Sequence, residues 1–296
     1  MPLIDFHTHT QPSIAAAREF FGWVGRVSPP NRGDVDELLE LMAANGVSRT
    51  LIVPWLPAHD LVAARVAAGE SRDAAVRAVI DQWKQLNAWG ARAAREDPER
   101  LSSLVGVDPV LMSRAEIEAE ADERLATGAC GLKIAPMFLD IPPSDPRIDV
   151  AWETARRHGV FVLSECGALG ALGHQAWGHP RHFHDVASRF PDVRIMLAHL
   201  GQGAEDEVAR LTRAHRNIYA DLSLRLTGID QPGGWTSARL LEAVRDIGAA
   251  RVIYGTNYPL VDTAAYVATF RGLDLTAAER EMIGWRNAQS LLTRTA

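Results

Sequence analysis

The stretch Ile4-Asp5-Phe6-His7-Thr8-His9-Thr10 decides the fold and marks where the chemistry lies. The apolar run from Leu3 to Phe6 predicts a first β-strand, and two histidines one residue apart follow it. Side chains two positions apart on a strand point to the same side. His7 and His9 are therefore predicted to project together and to hold one metal ion, because neutral imidazole binds zinc and also suits iron and nickel.

Composition places the chain among ordinary globular proteins. Of its 296 residues, 47% are hydrophobic and 23% are charged, and the net charge is −6. This charge gives no reason to expect a nucleic acid or an anionic membrane as partner. Two cysteines are too few for a disulfide framework, and no signal peptide or long apolar run is visible. We expect a cytoplasmic protein that acts on a small molecule, with a homodimer left open.

Strand and helix signals alternate about eight times along the chain. The segment between the first strand and Gly33 carries Pro12, Pro29 and Pro30, which predicts an irregular loop over an active site. The seven further predicted strands are 50–53, 101–107, 131–134, 160–163, 193–198, 218–222 and 251–254. Helical periodicity is clearest at 34–45, 72–97, 113–125, 149–158, 183–190, 205–215 and 237–247.

Eight βα units in a chain of this length predict an α/β fold of the (β/α)₈ TIM-barrel type. An open doubly wound sheet would need a glycine-rich phosphate turn after an early strand, and the sequence contains none. No internal repeat, low-complexity tract or shift in composition marks a second domain. We therefore expect one domain over residues 1–296.

Polar residues stand at the carboxyl ends of the predicted strands, which meet at one mouth of a barrel. Each of these residues alone could have a structural role, but together they predict an active site. In chain order they are His7, His9, Lys133, Glu165, His199 and Asn257.

At these motifs the sequence resembles the amidohydrolase superfamily, and in particular the amidohydrolase-related branch that includes aminocarboxymuconate-semialdehyde decarboxylase. The matching runs span nearly the whole chain in the family's order. They are Asp5-Phe6-His7-Thr8-His9, Gly131-Leu132-Lys133, Phe190-Pro191-Asp192-Val193, Leu197-Ala198-His199-Leu200-Gly201, Gly255-Thr256-Asn257-Tyr258-Pro259 and Arg286-Asn287-Ala288.

The resemblance implies a distorted barrel with one divalent metal ion on His7 and His9, zinc ahead of manganese or iron. It makes His199 either a further ligand or a catalytic hydrogen-bonding group. Two positions depart from the family. Glu165 stands where a histidine ligand is usual, and Asn257 replaces an aspartate that binds the metal and takes a proton. We expect Glu165 to bind the metal or to act as the base, since an amide cannot accept that proton near neutral pH.

Residues after the strands are candidates for binding the substrate. Trp55, Trp177 and His174 are predicted to line the pocket. Lys133 is predicted to point into the barrel mouth as a free, positively charged amine. Lys133 or Arg225 would pair with a substrate carboxylate.

The expected activity is metal-dependent hydrolysis of a small organic acid, lactone, ester or amide by a metal-activated water. His199, Asn257 and Lys133 are the candidate catalytic residues. The alternative is a non-oxidative decarboxylase of a small aromatic carboxylic acid, which tolerates the loss of the base at Asn257 better. A third hypothesis is a barrel that binds a small ligand but has lost its metal or its catalysis.

Overall fold

A parallel sheet of eight strands in chain order forms the wall of a barrel. The structure is a computed structural model that describes residues 2–167 and 175–294. The strands are β1 Leu3–Thr8, β2 Val47–Ile52, β3 Leu101–Gly106, β4 Ala129–Ile134, β5 Phe161–Ser164, β6 Ile195–Leu197, β7 Ile218–Asp221 and β8 Val252–Ile253. The prediction of a (β/α)₈ barrel is confirmed.

The barrel closes between β1 and the segment that continues β8. The Phe6 N–H donates to the Tyr254 carbonyl at 3.0 Å, and the Asn257 N–H donates to the His7 carbonyl at 2.9 Å. A parallel bridge between Thr8 and Tyr258 extends this pairing. The closure therefore brings the residues after β8 directly against His7 in β1 and His9 just after it.

Helices surround the strands. They are α1 Ile14–Trp23, α2 Val35–Asn45, α3 Ala58–Ala67, α4 Arg72–Glu96, α5 Arg114–Ala126, α6 Pro136–Leu139, α7 Asp149–His158, α8 Gln175–Gly178, α9 Phe183–Arg189, α10 Glu205–Ala214, α11 Ser237–Ile247, α12 Thr263–Gly272, α13 Ala277–Glu281 and α14 Asn287–Leu292. A capping box of Ser113 and Glu116 starts α5, and the left-handed residue Gly46 ends α2. None of the helices in the described residues is long and apolar enough to cross a membrane.

The segment before Gly33 differs from its prediction as an irregular loop, because it contains α1. The Ser13 side chain accepts from the Ala16 N–H and starts this helix. Phe20 and Phe21 are buried on one face, and the Phe20 ring packs edge-on against Trp55 with centroids 6.0 Å apart. A ten-residue helix stabilised by aromatic contacts to a distant loop leaves little periodic signal of its own.

The core has two layers, one inside the barrel and one between the sheet and the helices. Ile4 and Phe6 face the inside, and the Phe6 ring lies 5.2 Å from that of Phe161 across the barrel. The β1–β2 register then shifts, since the three steps from Asp5 to Thr8 pair with only two steps of β2. Irregularities of this kind re-aim side chains next to active sites. The shift lets His7 point into the mouth directly after the inward-facing Phe6.

Candidate active site

His7 and His9 form the part of the site best suited to a metal ion. Their Nε2 atoms lie 3.3 Å apart. The His9 Nδ1 is 2.8 Å from the Val53 carbonyl, which can only accept, so this nitrogen carries the proton. The His7 Nδ1 likewise donates to the Asp221 carboxylate at 2.8 Å. Both neutral rings therefore turn an Nε2 lone pair toward the other, an arrangement that repels unless a cation binds both.

Burial keeps both imidazoles in the neutral form that binds metals. It lowers the pKa of His7, and the neighbouring Asp221 only partly offsets this effect. Burial also lowers the pKa of His9 well below its usual value, and electrostatic repulsion from His7 and Lys133 adds to this shift. His7 and His9 are 0% and 6% exposed, respectively. The donor set thus fits a divalent transition metal, as the spacing of the two histidines predicts.

Asp221 at the end of β7 orients both His7 and His199, a role that the sequence did not reveal. Its Oδ2 accepts from His7, and its Oδ1 accepts from the backbone N–H groups of His199 and Ser223, each at 3.0 Å. The Ser223 hydroxyl also donates to this carboxylate. Burial opposes the charge of Asp221, but the interactions with His7, His199 and Ser223 outweigh it and lower the pKa to about 2.

Potential ligand atoms of His7, His199 and Asp221 all lie within 4.8 Å of one another. This grouping shows how close the three residues are, but both oxygens of Asp221 already accept hydrogen bonds. A carboxylate that accepts from the second nitrogen of a ligand histidine fixes the ring and its tautomer. We therefore place Asp221 behind His7, where it positions the ligand and does not itself hold the ion.

Glu165 lies between two cationic groups. Its Oε2 accepts from the Lys133 Nζ and its Oε1 accepts from the His199 Nε2, both at 2.8 Å. Burial alone would raise the pKa of Glu165, but Lys133 and His199 outweigh burial and hold it well below its usual value. A carboxylate held in this way is a weak base.

His199 is a proton donor in this arrangement. Its Nδ1 lies 2.7 Å from the Ser223 Oγ, whose own proton goes to Asp221, so the Nδ1 donates. Its Nε2 donates to Glu165. Burial lowers the pKa of His199, but Glu165 outweighs burial and the net shift is upward. Both ring nitrogens therefore carry protons, and the imidazolium lies at the wall of the mouth.

Asn257 contributes a buried amide oxygen at the same place. The residue is 3% exposed, and its Oδ1 has no hydrogen-bond partner among the described residues. A buried acceptor without a partner is costly, which indicates that a ligand completes it. The oxygen can accept a hydrogen bond or bind a metal ion, but it cannot act as a base that removes a proton from water.

A cavity of about 370 Å³ opens over these groups. Its wall is largely apolar and aromatic, and its polar end carries four of the predicted site residues, namely His9, Glu165, His199 and Asn257. The aromatic members are Phe20, Trp55 and Phe138, and Arg26 and Gln202 lie among the remaining lining residues. Trp55 thus lies where the sequence predicts a pocket wall.

Four other predictions need correction or fall outside the described residues. Lys133 is 2% exposed and its amine is already paired with Glu165, so it is not open to pair with a substrate carboxylate. Arg225 pairs with Glu205 at 2.7 Å and lies over the Trp235 ring, so its guanidinium is already engaged. The Trp177 indole donates to Asp140 at 3.2 Å. Trp177 is not among the described residues that line the cavity, contrary to its prediction. His174 lies outside the described residues.

Comparisons with known proteins place the chain in a family. Residues 4–294 match the family model described as amidohydrolase. The gamma-resorcylate decarboxylase of a Polaromonas species is 25% identical over an aligned length of 299, and the alignment covers 86% of this chain and 86% of that protein. An uncharacterized TIM-barrel protein from Bordetella bronchiseptica has a TM-score of 0.74 at 20% identity, covering 99% of this chain and 98% of its own.

A third comparison bears on the metal. A dihydroxybenzoic acid decarboxylase from Polaromonas, solved with bound manganese and the inhibitor 2-nitroresorcinol, has a TM-score of 0.67 at 16% identity. The alignment covers 98% of this chain and 96% of that one. At this identity the likeness shows the shared barrel fold alone.

The expectation of a hydrolase as the main activity is wrong. The curated relatives are gamma-resorcylate decarboxylases. This finding favours the alternative, which tolerates better an amide at Asn257 in place of the family's base. The metal named in the solved relative is manganese, so the preference for zinc is not confirmed. Because the match runs from residue 4 to residue 294, the chain belongs to the amidohydrolase family of enzymes.

Proposed function

We propose that this protein is a metal-dependent, non-oxidative decarboxylase of a small hydroxylated aromatic carboxylic acid. The observation that carries the proposal is the His199 imidazolium at the wall of an aromatic-lined cavity, beside a carboxylate that is too weak to serve as a base. The gamma-resorcylate decarboxylase that aligns with 86% of the chain supports the same reaction.

His7 and His9 would hold the divalent metal ion through the Nε2 atoms that face each other. The unpartnered Oδ1 of Asn257 offers a neutral oxygen at the same end of the cavity. When bound, such an ion would orient the acid and withdraw electron density from it. Manganese is the first metal to test, because carboxylate and carbonyl oxygens suit it and a dihydroxybenzoic acid decarboxylase of the same fold was solved with it.

His199 would supply the proton that replaces the carboxyl group. The carbon that bears the carboxylate takes the proton from Nε2, the bond to the carboxylate breaks, and carbon dioxide leaves. The electron pair of that bond restores the aromatic ring, and His199 is left neutral. Before the transfer, Glu165 holds the imidazolium in position through its 2.8 Å hydrogen bond to Nε2–H, and this hydrogen bond breaks as the proton passes to the substrate carbon. Lys133 remains paired with Glu165 and balances its charge before and after the step.

None of the described residues of the site is a strong base, which favours decarboxylation over hydrolysis. Water attack needs a group that accepts a proton, and general bases work best with a pKa near the working pH. The Asn257 amide has no such state, and the pKa of Glu165 lies well below its usual value. Decarboxylation instead needs a donor, and His199 has its pKa raised.

The cavity fits an aromatic acid. Phe20, Trp55 and Phe138 offer flat apolar surface on which a ring can stack or meet edges. Its volume of about 370 Å³ falls within the range of about 300 to 1,000 Å³ that is usual for small-molecule sites. Arg26 is exposed and also lines the cavity, so it can pair with an acidic substituent remote from the reacting carboxyl group.

The test uses acids labelled with carbon-13 in the carboxyl group, such as 2,6-dihydroxybenzoate and 5-carboxyvanillate, and manganese-loaded protein. We expect labelled carbon dioxide and the corresponding phenol in equal amounts from at least one acid. The His199→Asn variant should lose this activity but keep its fold, as judged by circular dichroism. Steady hydrolysis of lactones or esters with no carbon dioxide from any acid would contradict the proposal.

A further inference from the structure

A second, much smaller cavity lies behind the substrate cavity and shares Trp55 and Phe138 with it. Its volume is about 20 Å³. One water molecule needs about 10 to 15 Å³ of this kind of volume, so the space fits a single water. Water enters such a space only if polar groups line it, because an apolar void of this size stays empty.

Polar groups without full partners line this small cavity. The Nε1 of Trp83 is buried and has no hydrogen-bond partner among the described residues. The ammonium group of Lys133 has three N–H bonds, and Glu165 takes one of them. Buried donors of this kind nearly always have a partner, either a protein group or an ordered water.

Asp108 supplies the acceptor on the same cavity wall. Its Oδ1 accepts from the backbone N–H groups of Val110 and Leu111, each at 3.0 Å. Its Oδ2 lies 3.2 Å from the His59 Nε2 in an ion pair. A carboxylate oxygen can accept more than one hydrogen bond, so the Oδ2 can still accept from a further donor. Asp108 is 2% exposed, so this donor must come from within the cavity.

We propose that the small cavity binds one ordered water that accepts hydrogen bonds from the Trp83 Nε1–H and the Lys133 ammonium and donates to Asp108. Two donors and one acceptor match the three hydrogen bonds that buried waters typically make. Trp83 and Asp108 thereby become positioning residues for Lys133, which in turn holds Glu165 against His199. Nothing in the active site assigned above requires this water, so the inference stands whether or not the chain is a decarboxylase.

His59 links the water site to solvent. Its side chain is 36% exposed, and it lines both the small cavity and a wider surface depression that includes Arg72. The proposed water, Asp108 and the His59 ring therefore form a polar path from Lys133 to solvent on the side away from the substrate. Water can reach this site while a ligand fills the main cavity.

The sequence offers an unusually clean test, because Lys84 and Lys133 are its only lysines. Protein labelled with nitrogen-15 at lysine Nζ and tryptophan Nε1 should give two ammonium signals and eight indole signals. The indole signal that Trp83→Phe removes should show a cross-peak to a long-lived water. In Trp83→Phe and in Asp108→Asn, proton exchange of the Lys133 ammonium should quicken about fivefold, as expected for the loss of one net hydrogen bond.

Lys84 serves as the internal reference, and Trp235→Phe is the matched control, since Trp235 lies against Arg225 and Arg239 and lines neither cavity. Exchange at Lys133 should be unchanged in this control. An empty cavity would leave the Trp83 indole without a water cross-peak. Unchanged exchange at Lys133 in Asp108→Asn, which keeps the size of the side chain, would also overturn the inference.

Discussion

Replacing Asp221 with asparagine should weaken metal binding strongly, at the upper end of the range seen when the partner behind a ligand histidine is changed. In the native protein, Asp221 accepts from the His7 Nδ1 at 2.8 Å, which leaves a lone pair on the His7 Nε2. An asparagine that still accepts the backbone N–H groups of His199 and Ser223 must turn its NH₂ group toward His7. His7 would then accept at Nδ1 and carry its proton on Nε2, where the metal should bind.

The expected loss follows from this change of tautomer. Mutating the partner behind a ligand histidine typically lowers metal affinity by about 10- to 100-fold. Asp221 is fully buried and positions both His7 and His199, so we expect the upper end, about 100-fold, or about 2.7 kcal/mol of binding free energy. Titration of metal-free protein with Mn²⁺ by calorimetry, with a competing chelator for the wild type, measures this difference directly.

The control is Asp230→Asn, which makes the same chemical change at an exposed aspartate that accepts from Ser237. Its manganese affinity should match the wild type. If Asp221→Asn bound manganese within about twofold of the wild type, the assignment of Asp221 as the group that orients His7 would be wrong, and so would the lone-pair argument for the metal site.

The remaining predictions concern the charged groups around His199 and the neutral amide of Asn257. Glu165→Gln should shift the alkaline limb of the rate profile to lower pH, because it removes the anion that raises the pKa of the proton donor His199, and should slow turnover about 10²- to 10⁴-fold. Lys133→Met should lower the free energy of unfolding by about 3 kcal/mol in urea titrations, because the buried Glu165 carboxylate loses its ion pair with the Lys133 ammonium. In metal-free protein, the lowered pKa of Asp221 stabilises the fold above about pH 4. We expect the free energy of unfolding to fall by about 2 kcal/mol as the pH falls toward 2, because Asp221 then becomes protonated. Asp221→Asn should not show this loss. Asn257→Asp should tighten manganese binding by adding an anionic oxygen, which equilibrium dialysis can measure; weaker binding would show that the amide has a positive role.

Local patterns in the sequence were sufficient to predict the barrel and much of its mouth. The two-residue spacing of His7 and His9 predicted that they point together, and their Nε2 atoms lie 3.3 Å apart. The rule that catalytic groups follow barrel strands also brought together Lys133, Glu165 and His199, which form one hydrogen-bonded chain. These features depend on strand position, which periodicity reveals.

Features that depend on contacts between distant segments could not be predicted in this way. Asp221 stands at a strand end, yet only the structure shows that its oxygens reach His7 and His199. Phe20 joins the cavity wall because α1 packs on the loop after β2. The charge of Arg225 suits a substrate carboxylate, but its guanidinium is paired with Glu205, which is 20 positions away in the sequence. The charge of a side chain shows what it can bind, but its neighbours decide whether it is available.

The most direct test of a metal-dependent decarboxylase is to restore metal to stripped protein one equivalent at a time. Bound manganese and the release of carbon dioxide from carboxyl-labelled 2,6-dihydroxybenzoate and 5-carboxyvanillate would be measured in the same samples. We predict that carbon dioxide release from at least one acid rises with the metal, that both level off at about one ion per chain, and that His7→Ala/His9→Ala shows neither. Full carbon dioxide release by the stripped protein, or full metal binding by the double variant, would contradict the account.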